Sequence, residues 1–268
     1  MAPEVINSDY PRGEFRAAIF DFDGTLSLLR RNWQEVMIPM MVDILAETGT
    51  SESRDELLAL VEDFVMRLTG RQTIYQMIRL AEEVERRGGR AEEPLEYKRR
   101  YHDLLWQQVG GRVEAARNQK GPRDDFTVPG SRQLLEALAQ RDILLYLASG
   151  TDLHYVLDEA AVLNLDHFFA SRIYGALDDY KRFSKAMIIE KIIRDTGVQG
   201  SRLIGFGDGY VEIEEIKKVG GLAVGVASDE ETRSGVNAWK RRRLIEAGAD
   251  LIIADYQDLD ELLRVVGL

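Results

Sequence analysis

"IFDFDGTLS", residues 19–27, sets the reading of the whole chain: an apolar run delivers two aspartates two residues apart and breaks at once into Gly-Thr. Residues i and i+2 of a strand point the same way, so Asp21 and Asp23 are predicted to emerge together at the strand's carboxyl end. Open α/β sheets place their ligands there. Gly24 permits the tight turn and frees backbone N–H groups, and Thr25 can turn its hydroxyl into the loop. A surface turn is the bland alternative, yet D-x-D-G-T arises by chance in only about 0.3% of chains this long.

Working outward, short β-rich runs recur: "FRAAIF", "ILLYLAS", "SRIYGA", "RLIGFGD", "LAVGVAS" and "LIIAD". Each is mostly apolar rather than alternating, as expected of strands buried on both faces of a parallel sheet. Helical patterns separate the later runs, among them "SKAMIIEKIIRDTG", with a Gly stop at 197. Strand alternating with helix predicts an α/β fold, a doubly wound Rossmann-like parallel sheet.

The first strand is instead followed by residues 27–127, which carry amphipathic patterns such as "NWQEVMIPMMVDILAETG", "DELLALVEDFVMRLTG", "TIYQMIRLAEEVERRGG" and "PLEYKRRYHDLLWQQVGGRVEAA". They predict an inserted all-helical domain, with Trp33, Met37, Met40, Phe64 and Trp106 in its core. Val-Pro-Gly at 128–130 marks the return to the sheet. The expected division is an N-terminal tail over 1–14, a catalytic α/β core over 15–26 and 128–268, and a helical insert over 27–127.

Composition narrows the function. The 268 residues hold 46 acidic against 35 basic side chains, a net charge of −11, which argues against nucleic acid or an anionic membrane as the main partner. With no cysteine, thiolate catalysis, thiolate metal sites and disulfides are excluded. The opening "MAPEVINSDYPRGEF" lacks the basic and apolar pattern of a signal peptide, so the expected location is cytoplasmic.

Two carboxylates this close repel and raise one another's pKa unless a cation relieves them. Mg²⁺ fits, being held by one or two carboxylates together with a substrate phosphate. Further along, Ser149-Gly150 ends a second buried strand and can offer a hydroxyl and N–H groups to a phosphate oxygen. Lys185 opens a helix behind Ser184, a potential cap; a lysine there opposes the helix dipole unless an anion is near. Lys181 is a second candidate for the same work. "RLIGFGDGYVEIEE" ends a strand at Asp208, with Glu212 one helical turn on. The histidines, His102, His154 and His167, form no ligand spacing, and surface or core roles are expected of them.

Four strand ends in chain order thus carry D-x-D-G-T, Ser, Lys and G-D-x-x-x-E. Together they resemble the haloacid dehalogenase superfamily of phosphohydrolases with a helical cap, in a phosphoglycolate-phosphatase-like form, and residues 27–127 are similar to that cap. The resemblance implies a Mg²⁺-dependent phosphatase acting on a small phosphorylated substrate. By it Asp21 is the nucleophile, Asp23 the general acid and base, Ser149 the hydroxyl group and Lys185 the phosphate-neutralising cation. Asp21, Asp23, Asp208 and Glu212 form the expected metal set; Glu212 stands where many members have aspartate, and its longer arm suits a metal-bound water. Gly24, Thr25 and Gly150 are expected to bind phosphate. Substrate choice is expected of the loop "TGRQT", residues 69–73, through Arg71 and Gln72, with Arg30, Arg31 and Trp33 a second group. A dehalogenase would leave Asp23 without a leaving oxygen to protonate. A phosphomutase typically carries a histidine soon after D-x-D-G, and "TLSLLRRNWQEV" has none. A silent binding or regulatory module on the same fold would not need every motif side chain.

Overall fold

The computed structural model describes residues 1–268. Its sheet is built from β1 (Glu4–Val5), β2 (Ala17–Phe20), β3 (Leu144–Asp152), β4 (Ile173–Ala176), β5 (Leu203–Gly207), β6 (Leu222–Val226) and β7 (Leu251–Ile253), in the order β1-β7-β6-β5-β2-β3-β4. All neighbours are parallel except β1, which pairs antiparallel with β7. The chain order reverses at β2, so β5 and β3 flank it and open a crevice at their carboxyl ends.

Period 2 decides which face each side chain meets. Ala17 and Ile19 of β2 pack with Ile188, Ile189, Ile213 and Ile216, while Ala18 and Phe20 join the larger core on the opposite face. Those isoleucines belong to α8 (Lys185–Thr196) and α9 (Tyr210–Lys218), joined on that face by Leu244 of α10 (Ala238–Glu246). The other face carries α5 (Ser131–Ala139), α6 (Leu153–Val162), the short α7 (Asp166–Phe169) and α11 (Leu259–Val266). Phe20 is fully buried and stacks on Phe206, with ring centroids 4.7 Å apart, which locks β2 against β5 directly beneath the site.

Between β2 and α5 the chain forms the helical cap: α1 (Gln34–Ala46), α2 (Arg54–Arg67), α3 (Thr73–Arg86) and α4 (Pro94–Asn118). Local chemistry fixes the helix ends. Ser53 and Glu56 close a reciprocal capping box at the start of α2, Pro94 occupies the first turn of α4, and Ser184 Oγ accepts from Met187 N at 3.2 Å to begin α8. Gly197, in the left-handed conformation, ends α8.

The structure refines two expectations. Within the expected N-terminal tail, residues 4–5 form a sheet edge strand on β7, and Ile6 and Asn7 extend the contact by donating to Asp250 O. Of the five expected cap-core side chains, Met37, Met40 and Phe64 are buried and Trp33, partly buried, packs against the same core while lining a cavity, whereas Trp106 is 44% exposed. No helix is long and apolar enough to cross a membrane.

Candidate active site

The turn after β2 is built by its own backbone. Leu26 and Ser27 N–H groups both donate to Phe22 O at 2.8 Å, and Gly24 N–H donates to Ser27 O at 2.9 Å. Gly24 has φ +75°, and a Cβ there would lie 2.2 Å from Asp208 Oδ2, so only glycine lets the acid at the end of β5 cross over this loop. Ser228 Oγ and Tyr256 OH pin the loop from outside, donating to Gly24 O at 2.8 Å and Thr25 O at 3.0 Å. The Thr25 hydroxyl is buried and bonds to nothing in the protein.

Asp21, Asp23, Ser149, Gly150, Lys185 and Asp208 line one cavity of about 90 Å³ between sheet and cap. Lys185 Nζ donates to Asp21 Oδ1 at 2.7 Å and contacts the Glu212 carboxylate on its other side. Burial pushes the Asp21 carboxyl up; Lys185 opposes the shift and the Asp208 charge adds to it. Asp23 is pushed up to about 7, chiefly by burial, with the Arg30 guanidinium opposing and Glu159 and Asp21 adding. Its Oδ2 accepts from Thr151 Oγ1 at 2.8 Å, and its Oδ1 is buried without a partner. The register of β3 on β4 shifts between Ala148 and Asp152, and that irregularity presents Ser149 and Thr151 to the cavity. Thr151 N–H donates to Ser149 Oγ at 3.0 Å, which leaves the serine proton free for a ligand.

Of the two candidate lysines, Lys185 is buried on Asp21, and Lys181 is exposed with its ammonium 5.9 Å above the Tyr180 ring. Glu212 was expected in the metal set. The structure instead places its carboxylate on Lys185, beneath the glycines at 207 and 209 and outside the cavity lining. Asp23, in the same set, directs its carboxylate to Thr151.

The cap loop departs further from expectation. Gln72, expected to read the substrate, lies outside the cavity lining: it is 4% exposed, and its Nε2 donates to Tyr180 O at 2.9 Å and Phe183 O at 2.7 Å, latching the cap to the segment before α8. Arg71 does line the cavity, with its guanidinium 5.9 Å above the Tyr75 ring. The loop comes so close that a Cβ on Gly150 would sit 2.6 Å from Arg71 O.

One pair escaped the sequence reading altogether. Lys240 of α10 is buried, donating to Asp208 Oδ2 at 2.8 Å and Glu230 Oε1 at 2.6 Å. Burial works against its charge, but the two carboxylates win and push the ammonium pKa up. The signal was available: like Lys185, it sits in the first turn of a helix, here capped by Asn237, where a lysine needs an anion nearby.

None of the three histidines lines the cavity. His102 of α4 lies in the seam between cap and core, its Nδ1 3.7 Å from Asp152 Oδ2. Burial lowers its pKa from the ordinary 6.5 to about 4, helped by the Arg30 charge and opposed by Asp152. The folded protein therefore resists a proton that the unfolded chain accepts at about 6.5. Stability should fall as pH drops from about 6.5 toward 4, by up to about 3 kcal/mol from this residue. Urea unfolding of wild type and His102→Gln across that range measures it: the wild-type slope should be the steeper, and equal slopes would show that His102 titrates normally in the fold.

The haloacid dehalogenase-like hydrolase family model matches residues 15–220, and the chain belongs to that family. No curated protein sequence matches it significantly. Solved structures agree in fold. A predicted phosphoglycolate phosphatase from Haemophilus somnus is 17% identical, covering 93% of this chain and 98% of its own at a TM-score of 0.59. A hydrolase from Pseudomonas syringae is 16% identical, covering 94% and 100% at 0.60. β-Phosphoglucomutase from Clostridium difficile is 15% identical, covering 94% and 97% at 0.59.

Proposed function

We propose that the protein is a Mg²⁺-dependent phosphatase that hydrolyses a small phosphorylated metabolite through an aspartyl-phosphate on Asp21, with residues 27–127 as the cap over a core of 15–26 and 128–268. The observation that carries this reading is the placement of Lys185 Nζ 2.7 Å from Asp21 Oδ1, in one cavity with Asp23 and Asp208. Such a cation opposes the effect of burial on the carboxylate and can also meet a phosphoryl oxygen.

The donor set suits Mg²⁺: Asp21 and Asp208 are hard oxygen ligands whose charges press on one another, and a divalent cation relieves that repulsion. Asp21 and Asp208, with Asp23 beside them, would hold the ion, and Glu212 would act one shell out through Lys185. When bound, Mg²⁺ would offset charge on the phosphoryl oxygens.

The chain's own residues do the rest. An Asp21 oxygen forms a bond to phosphorus as the bond to the leaving oxygen breaks. Asp23 gives its proton to that oxygen, then takes one from the water that attacks the aspartyl-phosphate, releasing phosphate and restoring Asp21. Lys185 and the Ser149 hydroxyl hold the phosphoryl oxygens. The segment after the motif brings Trp33, Gln34 and Met37 to the cavity rather than a histidine, which favours hydrolysis over phosphoryl transfer to a second sugar hydroxyl.

The test is phosphate release from a panel of phosphorylated metabolites with and without Mg²⁺, together with mass spectrometry of the acid-quenched protein. Expected are Mg²⁺-dependent release and a phosphoryl adduct on the peptide carrying Asp21. Isomerised product without net phosphate release would replace this reading with a phosphomutase, and silence across the panel would remove it.

A further inference from the structure

The cavity has a second polar wall, on the cap side, that the phosphate chemistry does not use. Arg30 is buried there, its guanidinium 5.0 Å above the Tyr155 ring. Glu159 of α6 grips it through Nε at 3.0 and 3.1 Å and Nη2 at 2.6 Å. Arg30 Nη1 is left with no hydrogen bond in the protein, yet Arg30 lines the cavity.

Tyr101 of α4 and Gln76 of α3 line the same cavity, each 4% exposed. The Tyr101 hydroxyl bonds to nothing in the protein and is not among the sealed-off polar atoms, so it keeps access to the cavity. Gln76 commits its NH₂ to Val65 O at 3.2 Å. A carbonyl there demands a donor, so the orientation of the amide is fixed and Oε1 is left unengaged.

Three polar groups that line one cavity and have no partner in the protein mark a place for a polar ligand. The charges decide its class. Glu159 balances Arg30, so the wall offers hydrogen-bond donors (Arg30 Nη1, Tyr101 OH) and an acceptor (Gln76 Oε1) at little net charge. Hydroxyl groups, which donate and accept at once, match that set. A carboxylate would meet the Gln76 oxygen and face Glu159 and Asp23 nearby.

We infer that Arg30, Tyr101 and Gln76 form the leaving-group subsite, and that it selects phosphate esters of short uncharged polyols or sugars; this rests on the phosphatase reading above. Glu159 is a positioning residue that acts through Arg30.

The test compares kcat/KM on glycerol 1-phosphate, phosphoglycolate and phenyl phosphate with Mg²⁺, for wild type, Tyr101→Phe and the double variant Arg30→Gln/Glu159→Gln. The double variant removes both buried charges together, and Tyr101→Phe deletes a single oxygen, so it decides the matter if the double variant fails to fold. Wild type should prefer glycerol 1-phosphate, and each variant should lower the ratio of glycerol 1-phosphate to phenyl phosphate by about tenfold or more. An unchanged ratio overturns the subsite. A wild-type preference for phosphoglycolate that the variants abolish overturns the ligand class. Wild type that cleaves none of the three removes the phosphatase reading itself, whereas turnover of phenyl phosphate with unchanged ratios removes only the subsite.

Discussion

Asp21→Asn is expected to lower kcat by at least about 10⁴-fold while the protein stays folded. The amide is nearly isosteric with the carboxylate but has no electron pair fit to attack phosphorus, so the covalent route closes rather than slows. The fold should tolerate the change. Asp21 is buried at a cost that shows in its raised pKa, and a neutral amide removes that cost. Lys185 keeps Glu212 as its counter-charge. Thermal unfolding at or above the wild-type temperature, with turnover below about 1% of wild type, is the combined result expected. Residual turnover above that level would be incompatible with Asp21 as the nucleophile.

Asp23→Asn should cost about 10²- to 10⁴-fold in kcat/KM on alkyl phosphates, the usual range for a general acid. The side chain suits the role because burial holds its pKa near about 7, so a useful fraction carries a proton at neutral pH. The loss should shrink as the leaving group becomes able to depart without that proton. A series running from alkyl to nitrophenyl phosphates should therefore give a steeper dependence on leaving-group pKa in the variant than in wild type. Parallel lines would mean that Asp23 does not protonate the leaving oxygen. Because kcat/KM stops at departure of the leaving group, the later deprotonation of water does not blur the reading.

Much of the fold is legible in the sequence alone. Apolar runs bounded by Gly and Asp marked β2 through β7, since strands buried on both faces leave little room for polar residues. The cap helices followed from their periodicity, and Asp21, Asp23, Lys185 and Asp208 of the motifs do converge in one cavity, with Glu212 outside its lining. The short edge strand at 4–5 was hidden because two exposed residues carry no periodicity; only pairing with β7 defines it. The partners of Gln72 were hidden for a related reason. A loop sequence reveals that an amide is present but not which neighbour claims it, and Tyr180 and Phe183 lie more than a hundred residues away in the chain. Lys240 lay in a polar stretch, and its partner Asp208, 32 residues earlier, reaches it only in the fold, beside Gly24.

The central position of β2 also governs how the chain must assemble. Its four apolar residues pair with 144–147 on one side and 203–206 on the other. Both partners are synthesised long after it, with the whole cap in between. The cap helices can form early from local contacts, but β2 must wait, since non-local pairing carries the larger loop-closure cost. A nascent chain that stalls before residue 203 therefore presents β2 with an open edge and no β5 to cover it, the kind of exposed apolar strand that seeds aggregation. The cavity residue that comes first in the sequence, Asp21, thus follows a strand whose two partners are both made only after the cap.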